Sequence, residues 1–265
     1  MMDLTTKLTS TPVTCKICGS SSNPFARTLI LRKYDVQYFR CEACGFMQTE
    51  TPFWLDEAYS TAIARLDVGI MQRNLANRQL TSAVLNLLFP NMSRAVDFGA
   101  GHGALVRMMR DRGFNFFWFD LHASNDYARG FEYEEGVKYD FLTAFEVLEH
   151  LVDPVAEFST LMDLSDNVFV STFLVPKPVP ALADWWYYAP LTGQHIAFHT
   201  QESLRILANR FGRHLLSHGP YHLFTKEPKS SLRYSMATRL KLARVLNTVY
   251  RRPSLIEHDV EQMKR

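Results

Sequence analysis

From residue 69 to residue 89 the apolar side chains recur at roughly helical spacing, so they share one face of a helix. These apolar positions are Ile70, Leu75, Leu80, Val84, Leu87 and Leu88. Pro90 cannot continue a helix, because its ring blocks the backbone and it has no amide hydrogen. The pattern therefore predicts a long helix that ends before Pro90.

Beyond Pro90, short apolar runs alternate with helical patterns. Strands are predicted over 94–98, 115–120, 139–145 and 168–173, with two more within 214–224, and helices over 104–112, 154–164 and 203–210. Strands that alternate with helices predict a doubly wound, Rossmann-like α/β fold around a parallel sheet. Residues 51–68 resemble a linker that becomes helical, and the Pro- and aromatic-rich residues 174–198 resemble an inserted loop.

Composition limits the classes of protein that fit. The chain has 265 residues, with 47% hydrophobic and 21% charged residues, which excludes a wholly disordered or collagen-like protein. No apolar run reaches the roughly 18 residues of a membrane span, and the amino terminus has no apolar core of signal-peptide length. We therefore expect a cytoplasmic protein without a transmembrane segment. The net charge of +2 is too small to indicate nucleic-acid binding by the whole surface.

Charge is concentrated at the carboxyl terminus. Residues 226–265 hold ten Lys or Arg against four Asp or Glu, so this tail carries +6 and the remaining chain −4. The tail also has a helical apolar stripe at Leu232, Met236, Leu240, Ala243, Leu246 and Tyr250. We expect a terminal helix that docks on the body or on a second subunit. An anionic membrane surface and a nucleic acid are the alternative partners, and 253–265 are expected to be frayed.

All four cysteines lie in the first 44 residues, as two Cys-x-x-Cys pairs that are each followed by glycine. The pairs are Cys15 with Cys18 and Cys41 with Cys44. Two such pairs separated by a couple of dozen residues are typical of a tetrahedral structural Zn²⁺ site. The alternatives are two disulfides or a redox-active pair, and the expected reducing location and the matched second pair disfavour them.

An acidic, glycine-rich segment joins the strand at 94–98 to the next helix. It reads Asp97-Phe98-Gly99-Ala100-Gly101-His102-Gly103. Ligands of doubly wound sheets bind at the carboxyl ends of strands, where glycine lets the backbone approach them closely. Asp120 ends the following strand, at a position where acidic side chains bind ribose hydroxyls. An anionic Asp97 suits a cofactor with a cationic end.

This segment resembles the D-x-G-x-G-x-G element of the class I S-adenosylmethionine-dependent methyltransferases, over roughly residues 69–225. The resemblance implies the methyltransferase sheet and S-adenosylmethionine as cofactor, and it implies cofactor contacts at Asp97, Gly99, Ala100, Gly101, Asp120, Leu121 and Phe145. A dinucleotide-binding dehydrogenase is the alternative, but the chain has Ala104 where the G-x-G-x-x-G motif has its third glycine.

A second motif, Phe145-Glu146-Val147-Leu148-Glu149-His150, follows the strand at 139–145. If a helix begins here, Glu146, Glu149 and His150 share one face. These residues and His195 or His199 then offer a site for a divalent cation such as Mg²⁺ or Mn²⁺. The motif is similar to the E-x-x-E-H segments of metal-dependent RNA 2′-O-methyltransferases and of ubiquinone-pathway O-methyltransferases. That similarity implies a second metal at Glu146, Glu149, His150 and His195.

Without a metal, the same histidines provide a general base. A hydroxyl is a poor nucleophile at neutral pH, and the imidazole pKa suits His150 or His195 to remove its proton. We therefore take His150, Glu149 and His195 as the candidate catalytic residues. In members without a metal, Glu and His at these positions instead orient or bind the substrate, or cap the helix.

Zinc knuckles joined to this fold resemble the zinc-containing methyltransferases of deoxysugar and polysaccharide pathways, and the segment from Ala58 to Asn74 shares that resemblance. Gly193-Gln194-His195 departs from the pattern of their C-methylating members. The aromatic Trp185-Trp186-Tyr187-Tyr188 stacks on a sugar ring or packs as a lid. Three parts are expected, a zinc module (1–55), a methyltransferase domain (56–228) and a basic tail (229–265).

The function expected is methyl transfer to a hydroxyl of a small, carbohydrate-like acceptor. RNA 2′-O-methylation, sugar C-methylation and a non-catalytic cofactor-binding module are the alternatives. The intact Glu149, His150 and His195 disfavour the last of these. The oligomeric state is not readable from the sequence.

Overall fold

The computed structural model of the protein describes residues 11–60 and 68–264. The predicted linker at 51–68 lies partly outside these ranges, as does most of the amino-terminal stretch. The strands are β1 (Val13–Thr14), β2 (Ser21–Ile30), β3 (Tyr34–Cys41), β4 (Met47–Thr49), β5 (Ala95–Phe98), β6 (Phe116–Phe119), β7 (Phe141–Phe145), β8 (Asn167–Ser171), β9 (Ala197–Phe198), β10 (His214–His218) and β11 (Tyr221–Thr225).

The helices follow the predicted order along the chain. They are α1 (Leu55–Ala58), α2 (Ile70–Leu88), α3 (Ala104–Arg110), α4 (Pro154–Leu164), α5 (Gln201–Arg210), α6 (Ser231–Ala237), α7 (Leu240–Val249) and α8 (Ile256–Met263), with short 3₁₀ helices at Leu148–His150 and Trp186–Tyr188. Within the described residues, no helix is both long enough and apolar enough to cross a bilayer.

The chain forms two compact units. The first, which we call the cysteine unit, contains the described residues up to 60 together with 148–157 and 173–207. Its five-stranded sheet has the order β1-β2-β3-β4-β9, and every neighbouring pair is antiparallel. The predicted boundaries at 55 and 228 stay predictions.

Aromatic side chains fill the core of the cysteine unit. Trp54, Tyr187 and Tyr188 are almost wholly buried, and the indole N–H of Trp54 donates to the carbonyl oxygen of Gly193 at 2.8 Å. Of the aromatic run in the inserted loop, Trp186 is the residue left mainly exposed, at 69%. Burial of these large rings is therefore what holds the inserted loop in place.

The second unit, which we call the sheet unit, contains residues 68–147, 158–172 and 208–264. Its six-stranded sheet has the order β10-β11-β8-β7-β5-β6. β6, β5, β7 and β8 are parallel to one another, and β11 and β10 add an antiparallel edge. The α/β fold with a parallel sheet is confirmed. Because the chain passes from β5 to β6 on one side and to β7 on the other, the carboxyl end of β5 is a topological switch point.

Helices cover this sheet. α2 contacts α3, α6 and α7, and Leu80, Val84, Leu105 and Phe141 are among the wholly buried core side chains. Of the predicted apolar stripe, Ala243 is buried and Leu240 and Leu246 pack against this core, whereas Leu232, Met236 and Tyr250 are 37–70% exposed. The tail therefore docks on the body through only part of that stripe.

The last residues form a helix, and the prediction that 253–265 are frayed is wrong for the described part. Asp259 in α8 accepts hydrogen bonds from Arg110 at 2.6 and 2.9 Å and from Arg107 at 2.7 Å. The side chains of Arg110 and Asp259 are only 2% and 6% exposed. A buried guanidinium needs a counter-charge, so α8 is fixed by the charge that it supplies.

Replacement of Asp259 by alanine is expected to lower the free energy of unfolding by about 3–5 kcal/mol, because it leaves the Arg110 charge buried and uncompensated. Urea unfolding measures this loss. Asp111→Ala is the matched control, since Asp111 pairs with the same Arg107 in an exposed position, and it should cost less than about 1 kcal/mol. Equal losses in the two variants would contradict a structural role for α8.

Candidate active site

The turn between β5 and α3 is built from glycines in the left-handed region. Gly99, Gly101 and Gly103 have φ angles of 69°, 54° and 86°, which other residues adopt only with strain. A Cβ at Gly99 would lie 2.8 Å from Cγ2 of Val147, whereas a Cβ at Gly101 would meet no atom within 4 Å. The turn therefore packs tightly at Gly99 and presents bare backbone to open space at Gly101, which suits the close approach of a ligand.

Two carboxylates border this turn. Asp97 is 4% exposed and accepts a hydrogen bond from the Thr143 hydroxyl at 2.5 Å, and burial raises its pKa to about 7. Asp120 accepts hydrogen bonds from the amides of Gly101 at 2.8 Å, His122 at 2.7 Å and Ala123 at 2.8 Å. Asp120 thus fixes the turn from the neighbouring strand, as well as being the candidate partner of ribose hydroxyls.

The other predicted cofactor contacts differ in exposure. The Ala100 amide donates to the Phe119 carbonyl at 3.1 Å, Leu121 is 74% exposed, and the ring centroid of Phe145 lies 5.3 Å from that of Phe169. The sequence reasoning missed Trp118, whose indole N–H donates to the Gly101 carbonyl at 2.7 Å. Trp118 lies in a run of aromatic residues, which predicts a buried strand but not a hydrogen bond to the glycine-rich turn.

The predicted helix at 145–150 is wrong. Glu146 has a φ of 54°, outside the helical region, and its amide donates to the Ser171 hydroxyl at 3.0 Å. The same hydroxyl donates to the Glu146 carboxylate at 2.6 Å. Only a single 3₁₀ turn, Leu148–His150, follows. Glu146 therefore does not share a helical face with Glu149 and His150, and it belongs to the sheet unit.

Three of the predicted residues nevertheless come together in the cysteine unit. The cluster consists of Glu149, His150 and His195. Each offers one atom that could bind a metal, these atoms lie within 4.8 Å of one another, and Glu149 is fully buried. The Ile196 amide donates to the Glu149 carbonyl at 2.9 Å and so ties the two chain segments together. His199, weighed as an alternative to His195, lies outside this cluster and contacts the Ser203 hydroxyl at 3.2 Å.

Backbone carbonyls set the tautomer of both histidines. His150 Nδ1 lies 3.0 Å from the Gln194 carbonyl oxygen, and His195 Nδ1 lies 2.7 Å from the Tyr187 carbonyl oxygen. A carbonyl oxygen only accepts, so each Nδ1 carries the hydrogen and each neutral ring has its lone pair on Nε2. The rings are edge to face with centroids 5.0 Å apart. The pair can therefore accept protons or bind a divalent cation through Nε2.

Tyr59 joins this cluster, although the sequence reasoning did not single it out as a site residue. Its hydroxyl oxygen lies 2.9 Å from His150 Nδ1. The Nδ1 hydrogen of His150 is therefore shared between the Tyr59 hydroxyl oxygen and the Gln194 carbonyl oxygen. Burial, followed by the negative charges of Glu149 and Glu157, raises the pKa of Tyr59. Tyr59 therefore stays protonated at neutral pH, and its hydroxyl keeps a hydrogen that it can donate. Its distance of 91 residues from His150 hid the contact.

The four cysteines converge in the cysteine unit, with all sulfurs within 4.8 Å of one another. Sγ of Cys15 is 3.7 Å from Sγ of Cys44, and Sγ of Cys18 is 3.4 Å from Sγ of Cys41. A tetrahedral zinc ion with Zn–S bonds of about 2.3 Å holds its sulfurs about 3.8 Å apart. The donor set and its spacing thus fit a four-coordinate zinc ion.

The chain matches the model of a family described as "Methyltransferase domain" over residues 71–218. No curated protein sequence matches the chain. Among solved structures, it is similar to magnesium protoporphyrin IX methyltransferase from Synechocystis PCC 6803, with 16% identity and a TM-score of 0.40 over 64% of this chain and 87% of that one.

Two further solved structures are similar to a comparable degree. One is an O-methyltransferase family protein from Burkholderia thailandensis, with 16% identity and a TM-score of 0.45 over 64% of this chain and 66% of the other. The other is human N-acetylserotonin methyltransferase, with 16% identity and a TM-score of 0.47 over 68% and 60%. Identities this low concern the fold alone and carry no information about the substrate.

Proposed function

The chain belongs to the methyltransferase-domain family, and from that premise we propose that it transfers a methyl group from S-adenosylmethionine to a hydroxyl of a small, sugar-like acceptor. The main support for a hydroxyl as the methyl acceptor is the pair of histidines, His150 and His195, whose Nδ1 atoms contact backbone carbonyl oxygens. A neutral imidazole fixed in this way is prepared to accept a proton at Nε2.

S-adenosylmethionine supplies an electrophilic methyl group on a sulfonium ion. The backbone at Gly99 and Gly101 borders the space for it, and Ala100, Leu121 and Phe145 are the further proposed contacts. Asp97 provides a negative charge for the cationic end of the cofactor, and Asp120 provides acceptors for ribose hydroxyls. The aromatic ring of Phe145 provides an apolar surface for the planar base.

At the acceptor, the chemistry requires removal of one proton. We assign this role to His150, whose Nε2 would accept the proton that the acceptor hydroxyl loses on methylation. The buried Glu149 carboxylate stabilises the imidazolium that results, and His195, at a ring distance of 5.0 Å, orients the acceptor or relays the proton. Protonated Tyr59 donates a hydrogen bond that positions the acceptor. The methyl group would come from the sulfonium sulfur of S-adenosylmethionine, which would keep the bonding electrons and leave as a neutral thioether.

A divalent cation at Glu149, His150 and His195 is the alternative reading of the same cluster. Two imidazoles and a carboxylate suit several first-row metals as well as Mg²⁺ or Mn²⁺. A cation there would lower the pKa of the acceptor hydroxyl and would favour vicinal diols. Metal analysis of the purified protein separates the two mechanisms, since the metal-free base mechanism requires no ion beyond the proposed structural zinc.

The affinity for S-adenosylmethionine is expected to rise as the pH increases through about 7. The pKa of buried Asp97 is raised to about 7, so this carboxyl is neutral at lower pH and gains its charge across this range. If one proton leaves per cofactor bound, the affinity changes by up to about tenfold per pH unit below that pKa. Isothermal titration calorimetry between pH 5.5 and 8.5 measures the change.

Asp97→Asn should flatten this pH profile and weaken binding at pH 8, which separates Asp97 from any titration of the cofactor itself. Asp163→Asn is the matched control, because Asp163 is exposed on α4. A wild-type affinity that does not change with pH, or an Asp97→Asn protein that binds as wild type at pH 8, would contradict the assignment. No binding by wild type would remove the cofactor from the proposal.

A further inference from the structure

The outer face of α6 and α7 combines exposed apolar side chains with basic ones. We call this face the tail surface, and we define it by Leu232, Met236, Leu242, Val245 and Val249 together with Arg233, Arg239, Lys241 and Arg244. The five apolar side chains are 37–70% exposed. Single exposed apolar residues are ordinary, but Leu242, Val245 and Val249 are exposed at helical spacing on α7 alone, and an exposed apolar stripe of this kind marks an interaction site.

The helical spacing separates α7 into three stripes. Ala243 and Asn247 are buried towards α2, where the Asn247 amide donates to the Gln79 carbonyl at 2.8 Å. Leu242, Val245 and Val249 recur at intervals of three and four on another face of the helix. Lys241 and Arg244, three residues apart, run beside that apolar stripe. One side of α7 thus docks on the sheet unit, and the other presents apolar and cationic groups in adjacent rows.

The charge of this region is strongly one-sided. Residues 226–252 contain eight Lys or Arg and one Glu, a net charge of +7. Among the described residues, none forms an ion pair with Arg233, Arg239, Lys241 or Arg244. These four cations are therefore not neutralised within the described chain.

We propose that the tail surface binds the protein to the surface of an anionic lipid bilayer. Basic groups attract acidic headgroups, and the adjacent apolar side chains insert at the boundary between headgroups and acyl chains. A nucleic acid would satisfy the cations but would leave the stripe of Leu242, Val245 and Val249 against water or phosphate. A second copy of this chain would bring two surfaces of like charge together. The lipid surface is the partner that satisfies both rows of side chains.

Sedimentation of the full-length protein with vesicles tests this proposal. We expect binding to vesicles of 30% phosphatidylglycerol in phosphatidylcholine, little binding to pure phosphatidylcholine, and weaker binding in 0.5 M NaCl. Lys241→Glu with Arg244→Glu should reduce the partition coefficient at least about 25-fold, because each basic residue contributes about fivefold. Val245→Asp with Val249→Asp removes the inserting groups and should also release the protein.

Matched controls come from elsewhere in the chain. Arg210→Glu changes an exposed cation, and Met71→Asp changes an apolar helical side chain that is 58% exposed, so both should bind as wild type. Circular dichroism melting of every variant checks folding. Equal binding to neutral and anionic vesicles, or no binding to either, would overturn the proposal. So would a wild-type dimer that Val245→Asp with Val249→Asp makes monomeric, or binding of a 30-nucleotide RNA in preference to vesicles.

Discussion

Cys15→Ser is expected to abolish binding of one zinc ion per chain and to unfold the cysteine unit. Structural zinc sites contribute on the order of 10–16 kcal/mol in zinc-finger peptides, which is as large as the total free energy of unfolding of a typical domain, about 5–15 kcal/mol. Cys15 is buried, and its sulfur lies 3.7 Å from that of Cys44. Serine has a hydroxyl in place of the thiol, so it cannot supply the thiolate that binds zinc. Plasma emission spectrometry measures the zinc, and limited proteolysis followed by mass spectrometry locates the unfolded segments.

Ser20→Ala serves as the control for the zinc prediction. Ser20 lies in the same turn and accepts the Cys15 amide through its carbonyl oxygen, so the backbone contact survives the change. The control should keep both its zinc and its resistance to protease. Purified wild type without zinc, or Cys15→Ser with a full equivalent of zinc, would refute the four-sulfur site.

His150→Gln is expected to reduce kcat by about 10²- to 10⁴-fold, the usual contribution of a general base, and to leave the affinity for S-adenosylmethionine unchanged. Glutamine retains a polar group near Gln194 and Tyr59 but cannot accept a proton as imidazole does. Formation of S-adenosylhomocysteine with a panel of nucleotide-linked sugars measures turnover, and calorimetry measures cofactor affinity. His195→Gln should lower kcat as well, but by a smaller factor, because His195 is proposed to orient the acceptor or relay the proton.

The control for this pair is His214→Gln, since His214 is exposed in β10 and lies outside the histidine cluster. A parallel loss of kcat and cofactor affinity in His150→Gln would indicate a structural role. Activity of wild type that a chelator removes and that Mg²⁺ or Mn²⁺ alone restores, with the zinc content unchanged, would instead support the metal mechanism.

The elements around β5 could be predicted because their signals are local. An apolar strand, a glycine-rich turn and a helix at 104 follow within a dozen residues, and the structure has β5 and α3 at these positions. The sheet of the cysteine unit was not predicted, because β4 pairs with β9 and the two lie about 150 residues apart. No spacing rule for a single segment reports such a pairing.

Errors in the site arose from the same limitation. The pattern of Glu146, Glu149 and His150 fits one helical face, but five residues are too few to establish a period. Two hydrogen bonds with the distant Ser171, one donated by the Glu146 amide and one by the Ser171 hydroxyl, hold Glu146 in another conformation. Arg110 and Asp259 are 149 residues apart, so the ion pair that fixes the last helix could not be predicted from local sequence either. Within the cluster, Glu149 and His150 were predicted from one short motif and His195 from the resemblance to a family pattern, whereas Tyr59, which belongs to neither, was missed.

The discontinuous make-up of the cysteine unit has a consequence for synthesis of the protein on the ribosome. Until residues near 200 have been synthesised, β4 cannot pair with β9. Nor can the Cys44 carbonyl oxygen accept its hydrogen bond, 2.6 Å long, from the Thr200 hydroxyl. Translation adds about 5–20 residues per second, so roughly 8–30 s pass between the synthesis of Cys44 and that of residue 200. During that interval a nascent amino-terminal hairpin has an uncovered edge. Early capture of zinc by the four thiols would give the waiting segment a defined structure before its last strand arrives.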